Sequence, residues 1–238
     1  MGKSDNASLK PYVIVISGSV ASGKSTIAAA LSKRLENAPV LIFDHYGAFV
    51  EWPQDMKQWI IDGSDPQDIH IPKLKEDLLS LLNSKEIIDP LDGKSLKPAQ
   101  YIILEEPSGR ERQEISVYID VVVYIDTPQD MCVTRLVERA IDMEVWKSKG
   151  TFEGEPIEDI VHQLNAVAMW INQYQQTRSM YIQVSQSVKE KADIVVNGMD
   201  TVNEIIERIV SELRNSGQVG LRGKAKHKEH RGSKNSPL

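Results

Sequence analysis

The chain has 238 residues, 41% of them hydrophobic, which is enough for one well-buried domain carrying a mobile insertion. A single cysteine, Cys132, rules out an intramolecular disulfide and points to a reducing compartment, the cytoplasm. The net charge of −6 hides an asymmetry: six Lys or Arg against one acid lie between Asn215 and Leu238, so the body is more acidic than the whole, which argues against nucleic acid as its main partner.

Short apolar runs alternate with helical patterns, the signature of an α/β fold. The first ten residues, "MGKSDNASLK", contain no apolar core and so form no secretory signal. "YVIVIS", Tyr12–Ser17, reads as a strand buried on both faces. A glycine-rich stretch follows, then a helix over Ser25–Leu35 with Ile27, Leu31 and Leu35 at spacings of four. "PVLIFD", Pro39–Asp44, is a second strand, and helices are expected over Met56–Asp62 and Ile71–Leu82. Ile87–Pro98 reads as a short hairpin. "YIILEE", Tyr101–Glu106, and "IDVVVYID", Ile119–Asp126, are the third and fourth strands. Thr127 and Pro128 open a helix to about Ser148, in which Cys132 is a core position. "KGTFEGEP", Lys149–Pro156, breaks it, and a long helix continues to about Lys189. "ADIVVNG", Ala192–Gly198, is a fifth strand, and Thr201–Leu213 a helix whose Thr201 and Glu204 have capping-box spacing. Strands joined by right-handed helical crossovers give a five-stranded parallel sheet with helices on both faces. No apolar run approaches the roughly 20 residues that span a bilayer.

The stretch after the first strand, "ISGSVASGKST", matches G-x-x-x-x-G-K-[ST] in full through Gly18, Gly23, Lys24 and Ser25. Small residues such as Gly18, Ser19, Ala21, Ser22 and Gly23 let backbone N–H groups close around an anion. The helix that starts beside Lys24 adds its positive end. Lys24 then supplies a point charge for β- and γ-phosphates, Ser25 a hydroxyl ligand for Mg²⁺, and Thr26 a further hydroxyl near the α-phosphate. The pattern implies a nucleoside triphosphate, ATP or GTP, with Mg²⁺.

A phosphate loop alone does not separate a kinase from a switch protein that hydrolyses its nucleotide. Ligands of open parallel sheets sit beyond the carboxyl ends of the strands, and three carboxylates stand there: Asp44 in "FDHY", and Glu105 and Glu106 in "ILEEPSGR". Asp44 is placed to take a proton from, or orient, an acceptor hydroxyl. Glu105 is placed to hold Mg²⁺, with Glu106 as the alternative unless strand alternation turns it away. Arg110, Arg112 and His45 either line an acceptor site or pair with acids, and Trp52 and Trp59 either stack on a ring or fill the core.

In their order along the chain, "GSVASGKST", "FDHY", "YIILEE", "IDTPQDMCVTRLVERA" and "KADIVVNG" resemble the uridine kinase branch of the P-loop nucleoside and nucleotide kinases, over most of residues 12–198. The resemblance implies a five-stranded parallel core, a helical lid, ATP or GTP with Mg²⁺, and a small hydroxyl-bearing acceptor. By position it makes Asp44 the residue facing the acceptor hydroxyl, with Tyr46 beside it in the acceptor site, and Glu105 the acid closing the third strand. It makes Arg135 and Arg139 the lid arginines that reach the transferring phosphoryl group. Leu136 and Ala140 stand where the lid pattern has Arg and Asp, Glu106 stands where the branch has Gly, and the hairpin lacks the branch's tyrosine. The expected layout is an N-terminal tail over 1–11, a kinase domain over 12–214 with its lid near 135–160, and a basic disordered tail over 215–238. Catalysis falls to Lys24, Asp44, Arg135 and Arg139, and the acceptor site to Asp44, Tyr46, Glu106 and Arg110.

Overall fold

The computed structural model describes residues 10–141, 154 and 156–215. Its centre is a parallel sheet. β1 (Tyr12–Gly18) lies in the middle, paired with β5 (Tyr101–Glu105) on one side and β6 (Val121–Asp126) on the other, while β2 (Val40–Ile42) and β7 (Ile194–Asn197) form the edges. The order is therefore β2-β5-β1-β6-β7, with every neighbouring pair parallel. The chain moves outward to one side of β1 and later to the other, so the carboxyl end of β1 is a topological switch point.

Alternation along the strands builds two cores. Ile14, Ile16, Ile103, Val123 and Ile125 face one side. They meet α1 (Lys24–Arg34) through Ile27 and Leu31, and α7 (Val202–Asn215) through Ile205, Ile209 and Leu213. Val13, Val15, Ile102, Leu104 and Val122 face the other side. There they meet Trp59 from α2 (Met56–Ile61) and Leu74, Leu78 and Leu81 from α3 (Pro72–Leu82). Each fully buried aliphatic side chain contributes about 1.5–3 kcal/mol against exposure. Both faces of β1 are thus held, and its carboxyl end has little freedom.

The remaining elements are a two-residue-per-strand hairpin of β3 (Ile87–Ile88) and β4 (Ser95–Leu96), a short α4 (Gln113–Ser116), α5 (Gln129–Ala140), and the 34-residue α6 (Ile157–Glu190). The capping box forms as expected: Thr201 N donates to Glu204 at 2.9 Å, and Glu204 N to Thr201 Oγ1 at 3.3 Å. Four strands are shorter than the apolar runs suggest: β5 lacks Glu106, β7 is trimmed at both ends, and β2 and β6 are cut short for visible reasons. β2 stops at Ile42 because its partner β5 offers no residue beyond Glu105, and the chain turns into a 3-10 helix over Phe43–Phe49. β6 starts at Val121 because Asp120 is used as a clasp, its carboxylate accepting from Val13 N at 2.7 Å. Most of the expected lid break at Lys149–Pro156 and nearly all of the basic tail lie outside the described residues. No helix among the described residues is long and apolar enough to cross a membrane.

Candidate active site

The turn after β1 is bare for a steric reason. A Cβ on Gly18 would lie 2.6 Å from Ser22 Oγ and 2.9 Å from the Ile125 carbonyl oxygen, and Gly23 has a left-handed φ of 106°. Gly23 caps α1 without any side-chain hydrogen bond, and the first turn holds no acid. The amides at that helix start are therefore free for an anion, and the helix dipole favours one there. Ser19 lends its backbone to this cradle, because its hydroxyl is already taken: Gln129 Nε2 donates to it at 2.8 Å, and it shares a 2.7 Å bond with Ser185 of α6.

Lys24 folds back over the turn and donates to the carbonyl oxygens of Gly18 at 3.1 Å and Ser19 at 3.0 Å. Burial pushes its pKa down, while the charges of Glu105 and Asp44 push it back up. Glu105 is 4% exposed. Burial raises its pKa, and Lys24 and the Ser25 side chain draw it partly back. Its Oε2 is buried with no hydrogen-bond partner. One buried carboxylate oxygen in want of a partner, with the exposed Ser25 hydroxyl beside it, fits a small hard cation that takes its other ligands from phosphates and water. Among the described residues no group of three or more His, Cys, Asp or Glu is gathered to hold a metal unaided.

Asp44 stands in the first turn of the 3-10 helix after β2, solvent-exposed and within electrostatic reach of Lys24, Glu105 and Tyr181. These groups border one cleft of about 240 Å³. Its other walls are apolar: Trp52, Trp59 and Ile69 on one side, Met180, Tyr181 and Val184 of α6 on the other. A second cavity of about 340 Å³ opens on the far side of the phosphate turn, bordered by Thr26, Arg135, Arg139, Gly198 and Asp200. The phosphate cradle thus separates two compartments, with Lys24 on the apolar side and Arg139 bordering both.

No family model matches the chain. It is similar over most of its length to proteins named uridine kinase. Identity is 29% over 220 residues to that of Lactobacillus helveticus (86% of this chain, 95% of the relative) and 23% over 223 residues to that of Ligilactobacillus salivarius (88% and 95%). It is 25% over 203 residues to that of Haemophilus influenzae (77% and 85%). The chain is an ATP-dependent small-molecule kinase of the P-loop fold. A solved shikimate kinase from Aquifex aeolicus shares 20% identity over 86% of this chain and 98% of its own, at a TM-score of 0.38.

Several expected acceptor-site residues of the kinase lie elsewhere. Tyr46 is fully buried, its hydroxyl donating to Asp77 at 3.1 Å, and burial drives its pKa far up. It fixes α3 to the 3-10 helix and does not border the cleft. Glu106 is also fully buried, on the face opposite Glu105 as strand alternation requires. It pairs with the buried Arg112 and accepts from Ser108 N at 3.0 Å. Arg112 also meets Glu114 at 3.1 Å and lies over the Phe43 ring at 5.5 Å. Arg110 is at the amino end of the sheet, tied to Asp193 at 2.7 Å and to the Asp120 carbonyl at 2.9 Å. His45 meets Asp89 of the hairpin at 2.8 Å. Arg135 donates to the carbonyl oxygens of Ser22 at 3.2 Å and Gly198 at 3.4 Å, on the outer side of the cradle. Trp52 is half exposed at the cleft wall, while Trp59 is buried and anchored by a 3.1 Å bond from its indole to the Asp65 carbonyl. Cys132 is core, as its helical position suggested. Composition carried no signal for the cleft contributions of Ser64, Met180, Tyr181 and Ser185, which come from loops and a helix distant in sequence.

Proposed function

We propose that the kinase transfers the γ-phosphate of Mg-ATP, or Mg-GTP, to a hydroxyl of a neutral, ring-bearing small molecule, a nucleoside such as uridine. The observation that carries this reading is the cleft beside Asp44. Its walls are aromatic and aliphatic, and the arginines nearest in sequence are committed elsewhere, Arg110 to Asp193 and Arg112 to Glu106 and Glu114. Lys24 and Arg139 are the cations bordering the cleft among the described residues, and both belong to its phosphate end. Among the described residues, an acceptor that carries its own phosphate or carboxylate finds no second cationic pocket there, whereas a flat neutral ring finds apolar walls.

In this reading the loop amides between Gly18 and Thr26, with Lys24, hold the donor phosphates. Ser25 and Glu105 would hold Mg²⁺, which would supply positive charge to offset that of the donor phosphates. Asp44 accepts the acceptor's hydroxyl proton as the new O–P bond forms and the β–γ bridge bond breaks, and the proton then leaves to solvent. Arg139 neutralises charge on the transferring group, and Arg135 braces the cradle from the nucleotide side.

A transfer assay with ATP and GTP against uridine, cytidine, UMP, a hexose and shikimate tests it. Transfer to a nucleoside, with little hydrolysis in its absence, is expected. Asp44→Asn is expected to keep nucleotide binding and lose transfer by at least about 10²-fold. Preference for UMP, the hexose or shikimate would replace the nucleoside with another acceptor, and hydrolysis indifferent to every acceptor would favour a nucleotide-gated switch.

A further inference from the structure

Ser64 is a polar group that neither the fold nor the reaction above has used. It follows α2 in a left-handed conformation (φ 58°), directly after Gly63 (φ 103°), and its amide closes the helix by donating to the Trp59 carbonyl at 2.9 Å. It is 1% exposed, borders the apolar cleft, and its hydroxyl oxygen has no hydrogen-bond partner. A buried hydroxyl without a partner costs folding free energy that a solvated or bonded one does not. A non-glycine residue at positive φ adds strain where glycine would have none. The turn itself is anchored. The Trp59 indole donates to Asp65, the Asp65 carboxylate accepts from Gln67 N at 2.9 Å, and Ile69 packs into the core. The Ser64 side chain is therefore held in place by its neighbours and makes no hydrogen bond that holds them.

Several of the other polar groups on the cleft have occupations. Asp44, Glu105, Lys24 and Arg139 serve the phosphoryl end, and Ser185 is bonded to Ser19. Among the described residues on the cleft, Ser64 alone combines full burial, an unused hydroxyl and a place among the apolar walls, beside Pro66 and Ile69. We infer that Ser64 is a specificity-determining residue, whose hydroxyl makes a direct hydrogen bond to a polar group, a sugar hydroxyl or ring carbonyl, of the neutral acceptor. This inference rests on the nucleoside reading of the cleft. Chemically, a buried hydroxyl that loses its partner penalises an acceptor lacking the matching group, which turns a generic aromatic slot into a selective one.

The test uses Ser64→Gly in the full-length protein, since glycine suits the left-handed turn and leaves the fold intact, with Ser64→Ala as the strained counterpart. The probes are uridine, 2′-deoxyuridine, 3′-deoxyuridine and the analogue lacking the 4-carbonyl. Expected for Ser64→Gly are a melting temperature equal to or above wild type and an unchanged KM for ATP. The KM for uridine should rise about tenfold, and the penalty for one analogue should vanish because its missing group was the Ser64 partner. An unchanged uridine KM, or a rise by the same factor for uridine and every analogue, overturns the inference while leaving the proposed function standing. Absence of transfer from the wild type to any nucleoside overturns both.

Discussion

Glu105 carries the main electrostatic tension of the cleft: a carboxylate almost fully buried, with one oxygen unpartnered and with Lys24 as its main compensation. Burial raises its pKa above the ordinary 4.5, so the folded chain keeps this proton to higher pH than the unfolded chain does. Below 4.5 both folded and unfolded chains are protonated and Glu105 costs nothing; as pH rises through the elevated folded value the ionised form becomes a penalty on folding. Glu105→Gln is therefore expected to melt higher than wild type at pH 8, with the gap closing towards pH 4, in apo-protein thermal scans. The same variant should lose about 10²-fold in Mg-dependent transfer and most of the stabilisation that Mg-ATP gives the wild type. A variant that melts lower at pH 8 would show that Glu105 is a structural partner of Lys24 instead. Lys24, Ser25, Asp44 and Glu105 were legible in the sequence because a fixed motif and strand ends determine them. Ser64 and Tyr181 were not, because a buried hydroxyl and a helical tyrosine look ordinary until the fold brings them to the cleft wall. Tyr46 shows the reverse: position in a motif suggested the acceptor site, while a full helix packed over it made it core.

The strand end of β5 and the segment after it work as one element. Glu105 turns to the α1 side and Glu106 to the other, where the Arg112 guanidinium ties the segment 106–114 together through Glu106 and Glu114 and covers the Phe43 ring. Phe43 immediately precedes Asp44, so this buried pair links the strand that ends at Glu105 to the turn that carries Asp44. Removing one partner leaves a buried charge uncompensated, which costs about 3–5 kcal/mol. Arg112→Met is expected to lose stability in that range in urea unfolding, and to lower kcat as well. Joining it to Glu106→Gln should recover much of the stability, because both buried charges are then gone. Additive losses in the double variant would mean that the two side chains act independently. The local pattern was readable in outline, since alternation predicts opposite faces for adjacent glutamates. The buried arginine was not, because a charged "SGRER" run is ordinarily solvated surface. By contrast α7 was read almost to the residue, its Thr201–Glu204 box being a purely local signal, and Thr201→Ala should cost about 1 kcal/mol at no cost in transfer.

At the scale of the whole molecule the phosphate cradle is the place where both compartments and the helices α5 and α6 meet. Ser19 accepts from Gln129 at the start of α5 and is bonded to Ser185 near the end of α6, while the Tyr174 hydroxyl reaches Gln129 at 3.5 Å and its ring stacks on Tyr181 at 6.2 Å. Tyr181 in turn borders the acceptor cleft. A continuous set of contacts thus runs from the turn that holds the donor phosphates to the wall that would hold the acceptor. Ordering the turn around a nucleotide should order that wall, and by linkage the acceptor should tighten nucleotide binding by the same factor. Gln129→Ala removes the contact between α5 and Ser19 without touching either ligand's compartment. It is expected to raise the KM for ATP and for the acceptor together, each about tenfold, with kcat little changed. It should also shrink the factor by which a saturating acceptor improves ATP affinity, measured by calorimetry with a non-hydrolysable ATP analogue. If that factor is the same in wild type and variant, the two compartments communicate by another route, and Ser19 is braced only to keep the cradle in shape.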